Sequence, residues 1–212
     1  MDESYRISLV VPCFGRPAKT RRILNNILSQ DINGWEAFVL GDGCPHYESL
    51  ISSGEMEFYT ELASKNGNKL HMFNFEHNMQ GHGYQILNYA TRNCKGKFLI
   101  FAGNDDIILK NHFSHYLSEI ENTEYDMVCY KSFVGPSNSI RNPIVAHNYV
   151  GHSEIIVRTE LIKDYTHGGS YGHDWNFIEH IMSRTDKIKI ADSENYTYIV
   201  THYPGHSIDI ID

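Results

Sequence analysis

No apolar run in the 212 residues approaches the roughly 18 that a membrane-spanning helix needs; the longest, such as Phe98 to Ala102, are strand-sized. The N-terminus, MDESYR, lacks the apolar core of a signal peptide, so the chain reads as soluble and cytoplasmic rather than secreted by that route. Basic charge is in deficit: 18 Lys and Arg face 26 Asp and Glu, a net −8, and no local basic cluster offsets it. That balance argues against nucleic acid and anionic membrane surfaces as partners. The four cysteines, Cys13, Cys44, Cys94 and Cys129, form no CxxC pair, and three lie in or beside strand-like runs, which suits free thiols in a reducing compartment. With 16 Gly, 6 Pro and 12% aromatics the chain is neither collagen-like nor disordered, and it has no internal repeat. Two nucleotide fingerprints are absent: no GxGxxG follows the first strand-like run, and no GxxxxGK[ST] occurs. The length suits one α/β domain with one sizeable core.

The patterns that are present alternate in period. Ile7 to Val11 is a continuous β-rich run closed by Pro12, as in a strand buried on both faces of a parallel sheet. After Gly15-Arg16-Pro17, the residues Ile23, Leu24, Ile27 and Leu28 recur at helical spacing, with Pro17 at a tolerated first-turn position. Trp35 to Leu40 predicts a second strand, Leu50 to Leu62 a helix broken near Gly54, and Leu70 to Phe75 a third strand. A turn-rich loop at Asn78 to Gly83 precedes a helix with the stripe Ile86, Leu87, Ala90 and Cys94, and Phe98 to Ala102 predicts a fourth strand. This order implies a mostly parallel sheet covered on both sides, with the loops at 12–16, 41–45 and 103–106 sharing one crevice beyond the strand ends. Further on, Phe113, Tyr116, Leu117 and Ile120 mark a helix, Met127 to Phe133 and Glu154 to Arg158 strands, and 134–150 a long loop. A helix over Asp174 to Met182 and short strands at Lys187 to Ala191 and Tyr196 to Thr201 complete the pattern.

Two carboxylates, Asp105 and Asp106, directly follow the fourth strand at the rim of that crevice. Adjacent carboxylates repel unless a cation joins them, and hard ions such as Mn²⁺ or Mg²⁺ take oxygen ligands and complete their shell with substrate phosphates. The same pair could instead cap the following helix. Asp42 reaches the crevice from the second strand, where it could accept hydrogen bonds from a base or ribose, or serve as a plain Asp-Gly turn. His112 and His115, three apart on a helix with no third ligand nearby, read as surface residues. Trp175 could stack on a sugar, although its place in an apolar helix stripe fits core better.

The segment ISLVVPCFGRPAKTRRILNNILSQDINGWEAFVLGDGCP resembles the opening of family 2 glycosyltransferases of the GT-A fold, and EHNMQGHGYQILNYATRNCKGKFLIFAGNDD resembles that family's path into its DXD motif. The resemblance covers about 7–110, and more loosely runs to 206. It implies a nucleotide-sugar-binding half over about 1–110 and an acceptor-binding half over about 111–212 of a single catalytic domain. By the same resemblance Pro12 and Phe14 would flank the nucleobase, Asp42 would bind the uracil or its equivalent, and His82 would stand near the nucleotide. Asn104 and Asp105 would lie at the ribose and phosphate, with Asp106 as the carboxylate ligand of Mn²⁺ or Mg²⁺. Gly172-His173-Asp174-Trp175 resembles the family's later acidic motif, which makes Asp174 the catalytic base, and the tail THYPGHS resembles the segment that supplies a metal histidine, His202 ahead of His206. Two departures stand out: Gly41-Asp42 replaces an acid pair, and Asn104 replaces the first acid of a strict DXD.

The implied activity is metal-dependent, inverting transfer from a nucleotide-diphosphate sugar, a UDP-sugar in the first instance, to a glycan, lipid-linked or protein-linked acceptor hydroxyl. Loops near 134–150 and 165–172 would select that acceptor. The competing expectations are a binding or scaffolding domain that kept the fold without turnover, and a sugar-phosphate nucleotidyltransferase, for which only Gly15-Arg16 speaks. The chain could also be one module of a longer polypeptide, and peripheral contact with membrane-bound acceptors needs no membrane segment.

Overall fold

The computed structural model describes residues 4–78, 83–168 and 172–201. In chain order these form β1 (Tyr5–Cys13), α1 (Pro17–Leu28), β2 (Trp35–Gly41), α2 (Pro45–Ser52), α3 (Glu55–Lys65), β3 (Lys69–His71), α4 (Tyr84–Asn93) and β4 (Gly96–Phe101). There follow β5 (Ile107–Ile108), α5 (His112–Ser118), β6 (Met127–Cys129), β7 (Ser132–Val134), β8 (Ser139–Arg141), β9 (Ile155–Arg158), α6 (His173–Met182), β10 (Ile188–Ile190) and β11 (Tyr198–Val200).

Seven strands build the central sheet in the order β10-β6-β9-β4-β1-β2-β3. β1 pairs in parallel with β2 and β4, β2 with β3, and β6 with β10; β9 runs antiparallel to β4 and β6. The side-chain period of two divides β1 between two cores. Ile7, Leu9 and Val11 pack with Ile23, Leu24 and Ile27 of α1, while Val10 joins Ile86, Leu87 and Ala90 of α4 and Phe177, Ile178 and Ile181 of α6. Each fully buried aliphatic side chain contributes about 1.5–3 kcal/mol, which is why continuous apolar runs become the sheet's centre. Ser8 in β1 meets the one acid of β2, Glu36, at 2.6 Å. The backbone N–H groups of Lys95 and Gly96 and the ring of His71 also reach Glu36. Burial pushes its carboxyl up, but His71, Ser8 and Lys95 together hold it below its ordinary value.

The expected mostly parallel sheet is present, and the break near Gly54 separates α2 from α3. Three expectations about strands and loops need correction. Ladder pairing in the third strand stops at His71, leaving only a bridge between Gly41 and Asn74, because Phe73 and Phe75 turn to pack on Tyr89 and Asn74 binds Cys44. The run Met127 to Phe133 is two strands in two sheets. Its break falls at Tyr130, whose ring stacks on Tyr116 at 3.9 Å and whose hydroxyl donates to the Tyr116 carbonyl. The loop at 134–150 carries a 3-10 turn and β8. Together β5, β11, β7 and β8 make a second, four-stranded sheet in that order, built from strands of two or three residues.

His112 is fully buried rather than on the surface, and His115 is half-buried. The His112 ring packs on Tyr116 at 4.2 Å and pairs through Nδ1 with the Thr197 hydroxyl at 3.0 Å; burial and then His115 push its pKa down to about 3. All four cysteines are buried and free, in line with the thiol expectation.

Candidate active site

The loops expected to converge do so. The Asp42 backbone N–H donates to the Cys13 carbonyl at 2.9 Å, joining the ends of β1 and β2, and the Gly15 N–H donates to Cys44 Sγ at 3.1 Å. Arg16 crosses to the third loop, where its Nη1 lies 2.5 Å from Asp105 Oδ2. Arg16 holds a left-handed backbone, φ 53°, just before Pro17 opens α1, and that turn aims the guanidinium across the crevice. Two more residues of α1 reach the same loop: Thr20 accepts from the Asn104 amide at 3.2 Å, and Arg22 donates to the Asp105 carbonyl.

The acid loop is buried and braced on its other side by β11. Asp106 accepts from the Tyr198 hydroxyl at 2.5 Å and from the Thr201 backbone N–H at 2.9 Å, and the same Tyr198 oxygen accepts the Gly103 N–H at 3.0 Å. Burial, followed by the neighbouring Asp106, pushes the Tyr198 phenol well above its ordinary value, so it stays a proton donor. A Cβ at Gly103 would lie 2.9 Å from Asp105 Oδ1 and 2.9 Å from Asp106 Oδ2, so both carboxylates fold over this glycine. Oxygen donors gathered at a strand end fit a hard divalent cation. Arg16 already offsets the charge of Asp105.

Asp42 is buried too. Gln85 of α4 donates to its Oδ1, and Asn78 donates to its carbonyl at 2.9 Å and to Oδ2 at 3.3 Å. Pro12 is half-buried, and Phe14 is exposed at the crevice mouth. Gly83, with φ 76° at the start of α4, comes so close to β1 that a Cβ there would stand 2.6 Å from Pro12 Cβ. Only glycine reconciles that contact with that backbone.

Asp174 lies in the first turn of α6, where the helix N-terminus favours its negative charge. Its side chain is 43% exposed and meets His152 Nδ1 at 3.1 Å and His173 Nδ1 at 3.4 Å. The His152 backbone N–H points at its Oδ2 from 3.4 Å. His152 in turn stacks on Phe101, the last residue of β4, at 4.8 Å. Asp174 is thus linked through one imidazole to the strand that carries the acid loop. Burial pushes His152 down to about 4, with Asp174 opposing the shift, and burial likewise pushes His167 down to about 2, so both rings are neutral at pH 7. Trp175 is half-buried against the α4–α6 core.

The family model for glycosyl transferase family 2 matches residues 8–180. The chain belongs to that family. A relative described as an uncharacterized glycosyltransferase, from Rickettsia bellii (strain RML369-C), is 27% identical over 112 residues, 53% of this chain and 14% of its own length. Among solved structures, S. aureus TarS 1–349 in complex with UDP-GlcNAc superposes with a TM-score of 0.75 at 20% identity, covering 97% of this chain and 62% of that one. The mannosyltransferase PcManGT from Pyrobaculum calidifontis, in complex with GDP-Man and Mn²⁺, gives 0.67 at 13% identity, covering 89% and 55%. The family 2 chain has the GT-A fold, and it spans about 60% of the length of these solved chains.

Two expected site residues of this family 2 chain, His82 and His202, lie outside the described residues, as does His206. Thr201, directly before His202, bonds through its backbone to Asp106 and through its hydroxyl to the Asp105 carbonyl. The departure at Gly41 has a steric cause: a Cβ there would meet Asn74 Oδ1 at 2.2 Å and the Tyr47 ring at 2.8 Å, so no acid fits. The sequence reading passed over Arg22, Thr20, Gln85, Tyr198, Thr201 and His152. Of these, Thr20 had a visible signal, since Arg16 and Thr20 stand four apart at the opening of the helix after the first strand. Arg22, Gln85, Tyr198 and Thr201 act across 43 to 96 residues and His152 meets Asp174 across 22, separations no local pattern encodes.

Proposed function

We propose that this family 2 chain transfers a sugar from a nucleotide-diphosphate donor, a UDP-sugar, to an acceptor hydroxyl with inversion at the anomeric carbon. The observation that carries the reading is the acid loop, Asn104 to Asp106, buried at the end of β4 between α1 and β11 with both carboxylates folded over Gly103. The GT-A neighbours solved with UDP-GlcNAc and with GDP-Man and Mn²⁺ support it at the level of substrate class. Residues up to about 110 form the donor half. Pro12 and Phe14 flank the base, Asp42 receives its polar edge, His82 stands beside the nucleotide, and Asn104 and Asp105 address ribose and phosphate. Asp106 and His202 would hold Mn²⁺ or Mg²⁺; when bound, the metal neutralises charge on the departing diphosphate.

Residues from about 111 form the acceptor half. A sugar hydroxyl is a poor nucleophile, so Asp174 takes its proton as the bond to the anomeric carbon forms, on the side opposite the leaving group. His152 orients that carboxylate. The loop at 134–150 presents Ile140, Ile144 and Tyr149 as exposed apolar side chains, which suit the faces of an acceptor sugar or its carrier.

Calorimetric titration with UDP, GDP, CMP and dTDP, each with Mn²⁺ and with chelator, tests the donor site. Metal-dependent preference for one nucleotide, lost in Asp106→Asn, is expected. Asp174→Asn should bind as the wild type does and lose transfer. Near-normal turnover in Asp174→Asn would remove the base assignment, and metal-dependent binding without transfer in the wild type would favour the binding-domain reading, which the Arg16–Asp105 pair also fits.

A further inference from the structure

Away from the acid loop, three segments bring histidines together. His152 opens the 3-10 turn at His152–Glu154, His167 lies in the loop before α6, and His173 is the first residue of α6. One ring nitrogen from each lies within 4.8 Å of the other two, the one such cluster of potential ligands among the described residues. Three nitrogens bound to a tetrahedral zinc at about 2.1 Å stand roughly 3.4 Å apart, so modest ring rotation closes the set.

The cluster is built rather than incidental. His152 and His167 are both more than nine-tenths buried, and His152 Nε2 and His167 Nδ1 find no hydrogen-bond partner there. A buried imidazole nitrogen left without a partner costs free energy, which a ligated cation would remove. The opposite nitrogens are engaged. His152 Nδ1 faces Asp174 at 3.1 Å, and His167 Nε2 faces the Thr91 hydroxyl at 3.4 Å. Carboxylate on one ring nitrogen and metal on the other is the usual outer-sphere arrangement of a ligating histidine. The His167 backbone is clamped as well, because the Asn88 side chain donates to its carbonyl at 3.0 Å and accepts its N–H at 2.7 Å. Phe101 stacks on His152 and Phe177 on His167, at 4.8 and 5.0 Å, which fixes the ring planes and keeps the surroundings apolar.

We propose that His152, His167 and His173 form a second metal site, separate from the acid loop, that takes a divalent transition ion of imidazole preference, Zn²⁺. The ligand chemistry separates it from the carboxylate-based site of the acid loop, since a set of three imidazoles suits zinc and carboxylates suit Mn²⁺ or Mg²⁺. The ion ties the 151–168 segment to α6 and, through the His152 N–H on Asp174, sets the direction of that carboxylate. The site stands whether or not Asp174 is the base.

The test uses untagged protein stripped with chelator, reloaded with Zn²⁺ or Co²⁺ and desalted. About one zinc per chain, visible ligand-field absorption with Co²⁺ and a melting temperature raised by several degrees are expected. His173→Gln, at the half-buried helix end, should reduce zinc uptake at least tenfold while keeping metal-dependent nucleotide binding; His167→Gln should do the same for zinc. Asp106→Asn should retain the zinc. Zinc content below a tenth of an equivalent, or uptake unchanged in both histidine variants, would overturn the site. Loss of nucleotide binding with zinc retained would instead count against the donor-site reading alone.

Discussion

Tyr198→Phe isolates one oxygen that serves two partners. The hydroxyl donates to Asp106 Oδ2 at 2.5 Å and accepts the Gly103 N–H at 3.0 Å, and the ring is fully buried, so its removal changes hydrogen bonding with almost no change in volume. A hydrogen bond to a charged group contributes about 1.5–3 kcal/mol and a neutral one about 0.5–1.5, which gives an expected loss of about 2–4 kcal/mol. For a chain of this size each kcal/mol moves the melting temperature by roughly 2–4 °C, so a fall of about 5–15 °C is expected by calorimetry. The functional arm follows from the same contact. Without the Tyr198 hydroxyl, Asp106 loses one of the contacts that tie it to β11, the Thr201 N–H remaining, and metal-dependent nucleotide binding should weaken by about tenfold as the carboxylate gains freedom. A melting temperature within 1 °C of wild type together with unchanged nucleotide affinity would refute the view that β11 holds the acid loop in place.

Gly83→Ala puts a methyl 2.6 Å from Pro12 at a backbone φ of 76°, and should cost roughly 1–3 kcal/mol in urea denaturation and weaken nucleotide binding by displacing α4 from the end of β1. Arg16→Asn keeps a residue tolerant of the left-handed backbone but frees Asp105 from its guanidinium. Affinity for Mn²⁺ without nucleotide should then rise severalfold in calorimetry, and a fall would contradict the picture of Arg16 as a competing cation. Glu36→Ala should destabilise by about 2–4 kcal/mol, since it strands the Lys95 N–H and takes the acceptor from the Ser8 hydroxyl, while the Gly96 N–H keeps Ser8 Oγ. Because the folded Glu36 carboxyl lies below its ordinary value, its contribution is complete above that value and is lost as pH falls through the lower folded one, so the variant's acid denaturation should show a shallower slope there. His112 works at higher pH: its folded value of about 3 lies below the ordinary 6.5, so the unfolded chain takes up the proton first and stability falls as pH drops below 6.5. Between pH 7 and 5 that amounts to about 2 kcal/mol, which should vanish from the difference in melting temperature in His112→Gln.

Where one segment's own pattern decided its structure, the sequence was a good guide. The runs in β1, β2 and β4 and the helical stripes of α1 and α4 are determined by burial on two faces, and the left-handed Gly54 separates α2 from α3. The second sheet escaped notice because its strands are too short to show a period and exist only through pairing with distant partners. Tyr130 ends β6 through a stack on a ring fourteen residues earlier, and nothing local marks it. His112 was misread although its spacing from Tyr116 places both on the buried face of α5; the polar side chain concealed the position. At the site, the acid pair and Asp42 were legible as acids at strand ends, whereas the residues that hold them were not. Arg16 and Asp105 are 89 positions apart, and Tyr198 and Asp106 are 92.

The acid loop has one further property, which comes from its neighbours in the chain. It leaves the central sheet at Phe101 and enters the small sheet at Ile107, so residues 102–106 are one of the covalent straps between two separately hydrogen-bonded layers. The small sheet also carries β7 and β8, which frame the exposed apolar side chain of Ile140. The backbone that carries the two carboxylates therefore belongs to neither sheet and is held by both. Five residues of backbone thus place the acids on the seam between the two layers.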